Sequence, residues 1–169
     1  MAEQQAGGAK PASDSESLLV RWMGIGDANA GGFVHGGVVM RLCDEAAGLA
    51  AIRHCGGRAV TAAMDRMTFT SPIHIGELVS CRAKVNAAWK TSMEVGVRIE
   101  AENPVTAEIR HTSSAYLTMV ALDHGGKPTP VPELLPETED ETRRQREAEL
   151  RRENRLAERD RILSERESP

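Results

Sequence analysis

The residues best suited to chemistry lie between Asn29 and Ala46. Asn29, Gly32, His35, Gly36 and Gly37 come first, and Asp44 and Glu45 follow in an otherwise apolar run. Gly36 and Gly37 immediately precede a helical pattern, so they fall at a helix N-terminus. N–H groups there have no intrahelical acceptor and point outward along the positive end of the helix dipole. Without side chains in the way, a ligand carbonyl can come close, and an oxyanion developing on it would be stabilised. Asp44 stands two helical turns further on, in surroundings too apolar to be its natural place. A carboxylate beside a dry acyl site can activate water or attack the carbonyl itself. The Asn29 amide could hold that water, although Asn29 alone would be an ordinary turn residue. His35 could donate to the carbonyl or serve only to pack the loop. Glu45, about 100° further round the helix, reads as a structural partner of Arg41 or of a neighbouring chain.

The elements that must position these groups follow from the hydrophobic periodicity. Six glycines between Gly24 and Gly37 mark a loop that turns sharply or approaches something closely. From Gly37 to His54 apolar residues cover most of a helix circumference, and Arg41, Asp44, Glu45 and Gly48 form one narrow stripe. Such a helix is buried, and its apolar perimeter asks for a second cover, most simply another copy of the chain. Gly56 and Gly57 stop it.

The period then changes to two. Val79, Cys81, Ala83, Val85, Ala87 and Trp89 share one face. So do Met93, Val95, Val97, Ile99 and Ala101, and then Ile109, His111, Ser113, Ala115, Leu117, Met119 and Ala121, with Arg110, Thr112 and Tyr116 opposite. These predict long antiparallel strands with one buried side each. Ser17–Ile25 is a short strand, and Arg58–Phe69 a less cleanly alternating one. The fold class expected is α+β, an antiparallel sheet curved around one long helix. Residues 1–16 read as a disordered leader, residues 17–132 as the folded domain, and residues 133–169 as linker and charged C-terminal helix. The helix, Glu137–Glu167, has a thin apolar seam of Leu150, Leu156, Ala157 and Leu163. Glu139–Arg143 and Asp140–Arg144 are its expected ion pairs, and it is assigned no chemistry.

The 169 residues suit one domain plus an appendage, and the charge is unevenly spread: 20 of the 31 positions from Glu137 to Glu167 are charged. A net charge of −4 and only five aromatics argue against nucleic-acid binding. Three cysteines without a CxxC pair suggest reduced thiols and no disulfide framework, and no spacing supports a metal site. Gly24-Ile25-Gly26 does not extend to a phosphate-binding loop, because Asn29 takes the third glycine's place. With no apolar leader or membrane-length run, a cytoplasmic protein is expected.

Asn29, Gly32, His35-Gly36-Gly37 and Asp44-Glu45-Ala46 together resemble the motif series of the hotdog-fold acyl-CoA thioesterases, in particular the cytosolic acyl-CoA hydrolase group. The resemblance continues through Arg53-His54-Cys55, Phe69-Thr70-Ser71-Pro72, Ile75-Gly76-Glu77 and Lys90-Thr91-Ser92-Met93-Glu94-Val95, spanning about residues 17–132. It implies a hotdog fold and hydrolysis of acyl-CoA to a carboxylic acid and CoA. Asp44 would be the acidic catalyst, Asn29 of the partner subunit would orient water, and the N–H of Gly37, or of a neighbour at the helix start, would bind the thioester oxygen. The site would lie between two subunits, with homodimers assembling further into a trimer of dimers. No resident cofactor is implied, CoA being part of the substrate. Lys90, Thr91 and Ser92 at a strand turn, with Arg58 and Arg66 behind them, are the candidates for the CoA phosphates. A hotdog dehydratase acting on a hydroxyacyl thioester, or a non-catalytic acyl-CoA-binding protein, are the other readings.

Overall fold

A computed structural model describes residues 8–167. Its centre is the helix α1 (Gly36–Cys55), which buries Val39, Leu42, Cys43, Ala46, Ala47, Ala50, Ala51 and His54 on one side. Four of these are alanines, whose small side chains let a sheet pack close to the helix axis. The opposite side carries Met40, Arg41, Asp44, Glu45, Leu49 and Ile52 and is exposed. The expected polar stripe therefore faces outward, with an Arg41–Glu45 ion pair of 2.8 Å on it, and Met40, Leu49 and Ile52 flank it uncovered. His35 caps the start of α1, its Nδ1 accepting the Gly37 N–H at 2.9 Å. At the end Gly56 takes a left-handed conformation (φ 67°), which only glycine adopts freely, and donates to Ile52 O.

The described residues form seven strands: β1 (Lys10–Pro11), β2 (Ser17–Trp22), β3 (Arg58–Met64), β4 (Leu78–Ala88), β5 (Ser92–Glu102), β6 (Ile109–Leu122) and β7 (Leu134–Leu135). The five longer ones form a sheet in the order β2-β4-β5-β6-β3, with every neighbouring pair antiparallel. Its inner side packs on α1 through Val79, Cys81, Val95, Ile99, Leu117 and Met119, all buried. This is the hotdog arrangement expected.

Three β-bulges break the simple alternation, and each redirects side chains. The extra residue in β4 is Asn86, where the pairing with β5 shifts. Beyond it Ala87 stands opposite Glu94 on the outer face, so Trp89 turns outward instead of joining the core, its Nε1 donating to Glu149. In β6 the extra residue is Thr112. Ile109 and His111, expected on the inner face, are exposed, and Arg110 turns the other way, towards Glu77. In β3 the extra residue is Ala62. That strand ends at Met64 rather than Phe69, and residues 65–71 continue as irregular chain.

Two further expectations need correction. Lys10–Ser15 is not a disordered leader. Strand β1 pairs in parallel with β7, and a 3-10 turn follows over Ala12–Ser15. The buried Ser15 hydroxyl donates to Ala12 O and accepts the Val85 N–H at 2.9 Å, satisfying a strand end. Residues 1–7 lie outside the described residues. The C-terminal helix α2 (Glu139–Glu167) is likewise no loose appendage. It starts in a reciprocal cap, the Thr138 hydroxyl accepting the Glu141 N–H while the Glu141 carboxylate accepts the Glu137 and Thr138 N–H groups. It then lies on the outer face of the sheet, but not through the seam expected: Leu150 and Leu163 are 57% and 47% exposed, whereas Ala148 is buried. Of the expected ion pairs Asp140–Arg144 forms at 2.6 Å, while Arg143 bonds Asp140 and Glu147 rather than Glu139.

Arginines dock this helix. Arg151 reaches Glu94, a fully buried carboxylate, with Nη2–Oε1 at 2.7 Å and Nε–Oε2 at 3.1 Å, and its guanidinium lies 3.7 Å from the Tyr116 ring centroid. Asn86 Nδ2 donates to the same carboxylate at 3.1 Å. Gly96 makes room for it, since a Cβ there would lie 2.5 Å from Asn86 Nδ2. Arg155 pairs with Asp65 at 3.0 Å.

Removing one partner of a buried ion pair leaves the other charge unpaired and costs about 3–5 kcal/mol. Arg151→Ala should therefore lower the thermal midpoint by several degrees, and Glu94→Gln in that background should restore part of it; an unchanged midpoint for the single variant would remove α2 from the stability of the domain. His54 gives a pH dependence. Its Nε2 lies 3.0 Å from Pro132 O while Nδ1 has no partner, and burial pushes its pKa below the ordinary value. The unfolded imidazole gains its proton near pH 6.5, which the buried ring resists. Its contribution is thus complete at pH values well above 6.5 and is lost as the pH falls from there towards the lowered folded value. Denaturant midpoints at pH 7.5 and 5.5 should differ in the wild type and converge in His54→Gln.

Candidate functional site

Asn29 lies in the loop before α1. Its Oδ1 accepts the Gly31 N–H at 2.8 Å and the Phe33 N–H at 3.2 Å, and its own N–H donates to Phe33 O. Only the amide oxygen can accept both bonds, so Nδ2 is the end left over, a pair of donors with no acceptor among the described residues. Asp27, not singled out in the sequence, fixes the loop from behind. Its backbone oxygen accepts the His35 N–H, and its buried carboxylate accepts from Gly24 N–H and from Arg21.

The helix start differs from expectation in one respect. The Gly37 N–H is committed to His35 Nδ1 and is not a free donor. The Val38 N–H is also engaged, with His35 O. That leaves the Gly36 N–H without an acceptor among the described residues, and His35 Nε2 as the proton-bearing nitrogen of a ring whose Nδ1 accepts. Beside these groups a cavity of about 330 Å³ is lined by Asn29, Phe33, Gly36, Val39, Phe69 and Pro72 among others. The Phe69 ring stands so close to Gly36 that a Cβ there would meet it at 3.4 Å.

Asp44 stands on the exposed stripe of α1. The Thr61 hydroxyl, aimed inward beside the β3 bulge, donates to its Oδ1, and Thr61 Oγ1 also lies 3.3 Å from Met119 Sδ. The hydroxyl has a single proton, which the carboxylate takes. Thr61 was not singled out in the sequence, because its partner is a helix away and the bulge that aims it has no signature. Asp44 is about 12 Å along the axis from the helix start, and no contact joins it to Asn29 within one chain. It is also solvent-exposed there, not in the dry setting the sequence suggested.

The five candidates for the CoA phosphates fall elsewhere. Lys90, Thr91 and Ser92 form the β4–β5 turn, tied to the end of β6 by Thr91 O accepting the Ala121 N–H. Arg58 opens β3 opposite Leu122, at this same end. This is the C-terminal end of α1, about 30 Å from His35 for a helix of this length. Arg66 is separate again, pairing with Glu158 of α2 at 3.7 Å. The four at that end lie too far away to reach the helix start of their own chain.

Residues 31–108 match the family model described as the thioesterase superfamily. A hexameric acyl-CoA thioesterase of known structure superposes with a TM-score of 0.86 at 37% identity, over 89% of this chain and 97% of that one. The chain belongs to the thioesterase superfamily. It is also 42% identical over 134 residues to the cytosolic acyl coenzyme A thioester hydrolase of Rattus norvegicus, covering 78% of this chain and 35% of the rat enzyme's length. The acyl-CoA hydrolase of Staphylococcus aureus, solved with butyryl coenzyme A, coenzyme A and coenzyme A disulfide, is 34% identical with a TM-score of 0.86, over 94% and 97% of the two chains. That hydrolase has further been solved with an aspartate, an asparagine or a threonine replaced by alanine.

Loss of a helix cap costs about 0.5–2 kcal/mol. His35→Ala should lower stability by that amount, readable as a shift of the urea midpoint, and an unshifted midpoint would show that the His35–Gly37 bond carries no load.

Proposed function

We propose that the protein hydrolyses acyl-CoA thioesters to the free acid and CoA at a site shared between two copies of the chain. The observation that carries this reading is the division of one set of groups: Asp44 with Thr61 on the open side of α1, and the Asn29 donors with the cavity at the helix start. The exposed apolar residues Met40, Leu49 and Ile52 around Asp44, together with Val60 on the free edge strand β3, supply the surface on which a second copy packs. If the two helices run antiparallel there, each Asp44 approaches the helix start of the other chain. The same arrangement brings each chain's Arg58, Lys90, Thr91 and Ser92 towards the other's site, where they serve the CoA phosphates.

In this site Nδ2 of Asn29 of the partner subunit donates to the oxygen of a water molecule, and the Asp44 carboxylate accepts a proton from that water. Thr61 occupies Oδ1, so Oδ2 takes the proton. The water oxygen attacks the thioester carbon, and the charge passing to the carbonyl oxygen meets the Gly36 N–H and the His35 Nε2–H. The C–S bond then breaks, the thiolate of CoA leaves, and it receives the proton held by Asp44. The likeness to the S. aureus hydrolase and its complexes supports this substrate class, and the hexameric relative supports a trimer of such dimers. The name of the rat relative supports a cytosolic location.

A thiol-release assay over short to long acyl-CoAs tests the reading, and the absence of turnover with retained CoA binding would favour a binding protein. Asp44→Asn should lower kcat about 100-fold or more, the scale of a general base, with fold and oligomer intact; turnover at the wild-type rate would remove Asp44 from the mechanism. Co-assembling Asn29→Ala chains with Asp44→Asn chains should recover part of the activity, since some dimers then hold one complete site.

A further inference from the structure

Five consecutive residues, Phe69 to Ile73, form one wall of the cavity at the helix start, yet they belong to no helix or strand. Backbone bonds hold this segment only at its ends, Thr70 on Thr112 O and Ile73 O on the Val34 N–H. The middle is held by one guanidinium. Arg110 forms a fork with Glu77, both oxygens at 2.7 Å, while Nη2 also donates to Pro72 O at 2.7 Å and Nε to the Ser71 hydroxyl at 3.2 Å. Glu77 is nearly buried, and the Arg110 fork holds its carboxyl below the usual pKa, so the pair is ionised throughout the neutral range. Its Oε2 also accepts the His74 N–H at 2.8 Å.

From His74 the connection runs on into the catalytic loop. His74 pairs with Phe33 through the backbone, and their rings meet edge to face with centroids 5.4 Å apart. The Phe33 N–H is one of the two donors that lock Asn29 Oδ1. We propose that Arg110 is a positioning residue for the proposed thioesterase site. Through Glu77, Pro72 and His74 it sets both the wall against which the acyl group lies and the direction in which Asn29 presents Nδ2. The bulge at Thr112 is what turns Arg110 inward to do this. Lysine cannot replace it, because an ammonium has no planar fork to span a carboxylate and a carbonyl together.

This inference rests on the thioesterase reading for its kinetic consequence but not for its structural one, and the test separates the two. In Arg110→Lys, hydrogen exchange measured by mass spectrometry should quicken in peptides covering residues 27–35 and 69–77 and stay unchanged in residues 43–52 of α1. A misplacement of about 1 Å costs up to about 100-fold, so kcat/KM for acyl-CoA should fall by about ten- to 100-fold at unchanged size and far-UV spectrum. The preference between short and long acyl chains should flatten with it. The double variant Arg110→Met/Glu77→Leu, which leaves no buried charge unpaired, should show the same kinetic loss while keeping its thermal midpoint. Arg98→Ala, on the neighbouring strand and paired with Glu100, serves as the unaffected control. Unchanged exchange in residues 27–35, or wild-type acyl-chain preference in both variants, overturns the proposal. Localised exchange changes in a protein whose wild type releases no thiol would uphold the coupling to Asn29 and overturn the thioesterase reading instead.

Discussion

Close contact between α1 and the inner face of the sheet is the constraint on which the remaining structure depends. Ala46, Ala47, Ala50 and Ala51, with Cys43 beside them, are fully buried against the sheet. A larger side chain at any of them would push the sheet outward, since close-packed interiors take up added volume only through strain. Because the sheet curves around one side of the helix, the other side stays open, and the candidate acid lies there. The same packing fixes the helix start against the Phe69–Ile73 wall and its end at the opposite edge of the molecule. Within one chain, then, the acid, the amide donors and the basic turn occupy three separate places along one axis. The proposed antiparallel pairing of two copies is an arrangement that would bring them together.

Much of this was legible in the residues. The four-residue polar stripe on an otherwise apolar segment located both α1 and its exposed side, because a 3.6-residue period is robust over five turns. The inner faces of β4 and β5 were likewise marked by strict alternation as far as Val85 and through Ala101. What was hidden were the three places where alternation slips. Asn86, Ala62 and Thr112 carry no signature, since a bulge is fixed by how two strands fit rather than by one strand's sequence. Each slip had consequences: Trp89 went to the outer face, Thr61 became the partner of Asp44, and Arg110 turned from a presumed surface residue into a buried-pair partner. The helix cap was hidden for a different reason. A histidine next to two glycines reads equally well as a ligand donor and as a cap, and only the direction of its ring decides between them.

The C-terminal helix shows how composition can mislead. With 20 of 31 positions charged it reads as an appendage, a solvated or partner-packing helix. Its attachment, however, is made by arginines whose partners, Glu94 and Asp65, lie far away in the chain and look unremarkable there. Apolar seams are visible in a sequence because like attracts like; an ion pair across 57 residues is not, since either charge alone is ordinary.

The position of Glu94 has a consequence for synthesis. It sits near the start of the central strand β5, fully buried, where a carboxylate is costly without a cation to accompany it. That cation arrives 57 residues later, on Arg151. All five strands of the main sheet have therefore left the ribosome before the charge that lets two of them close is available. Until α2 is in place the Glu94 carboxylate lacks that partner, so this helix completes the sheet instead of merely decorating it.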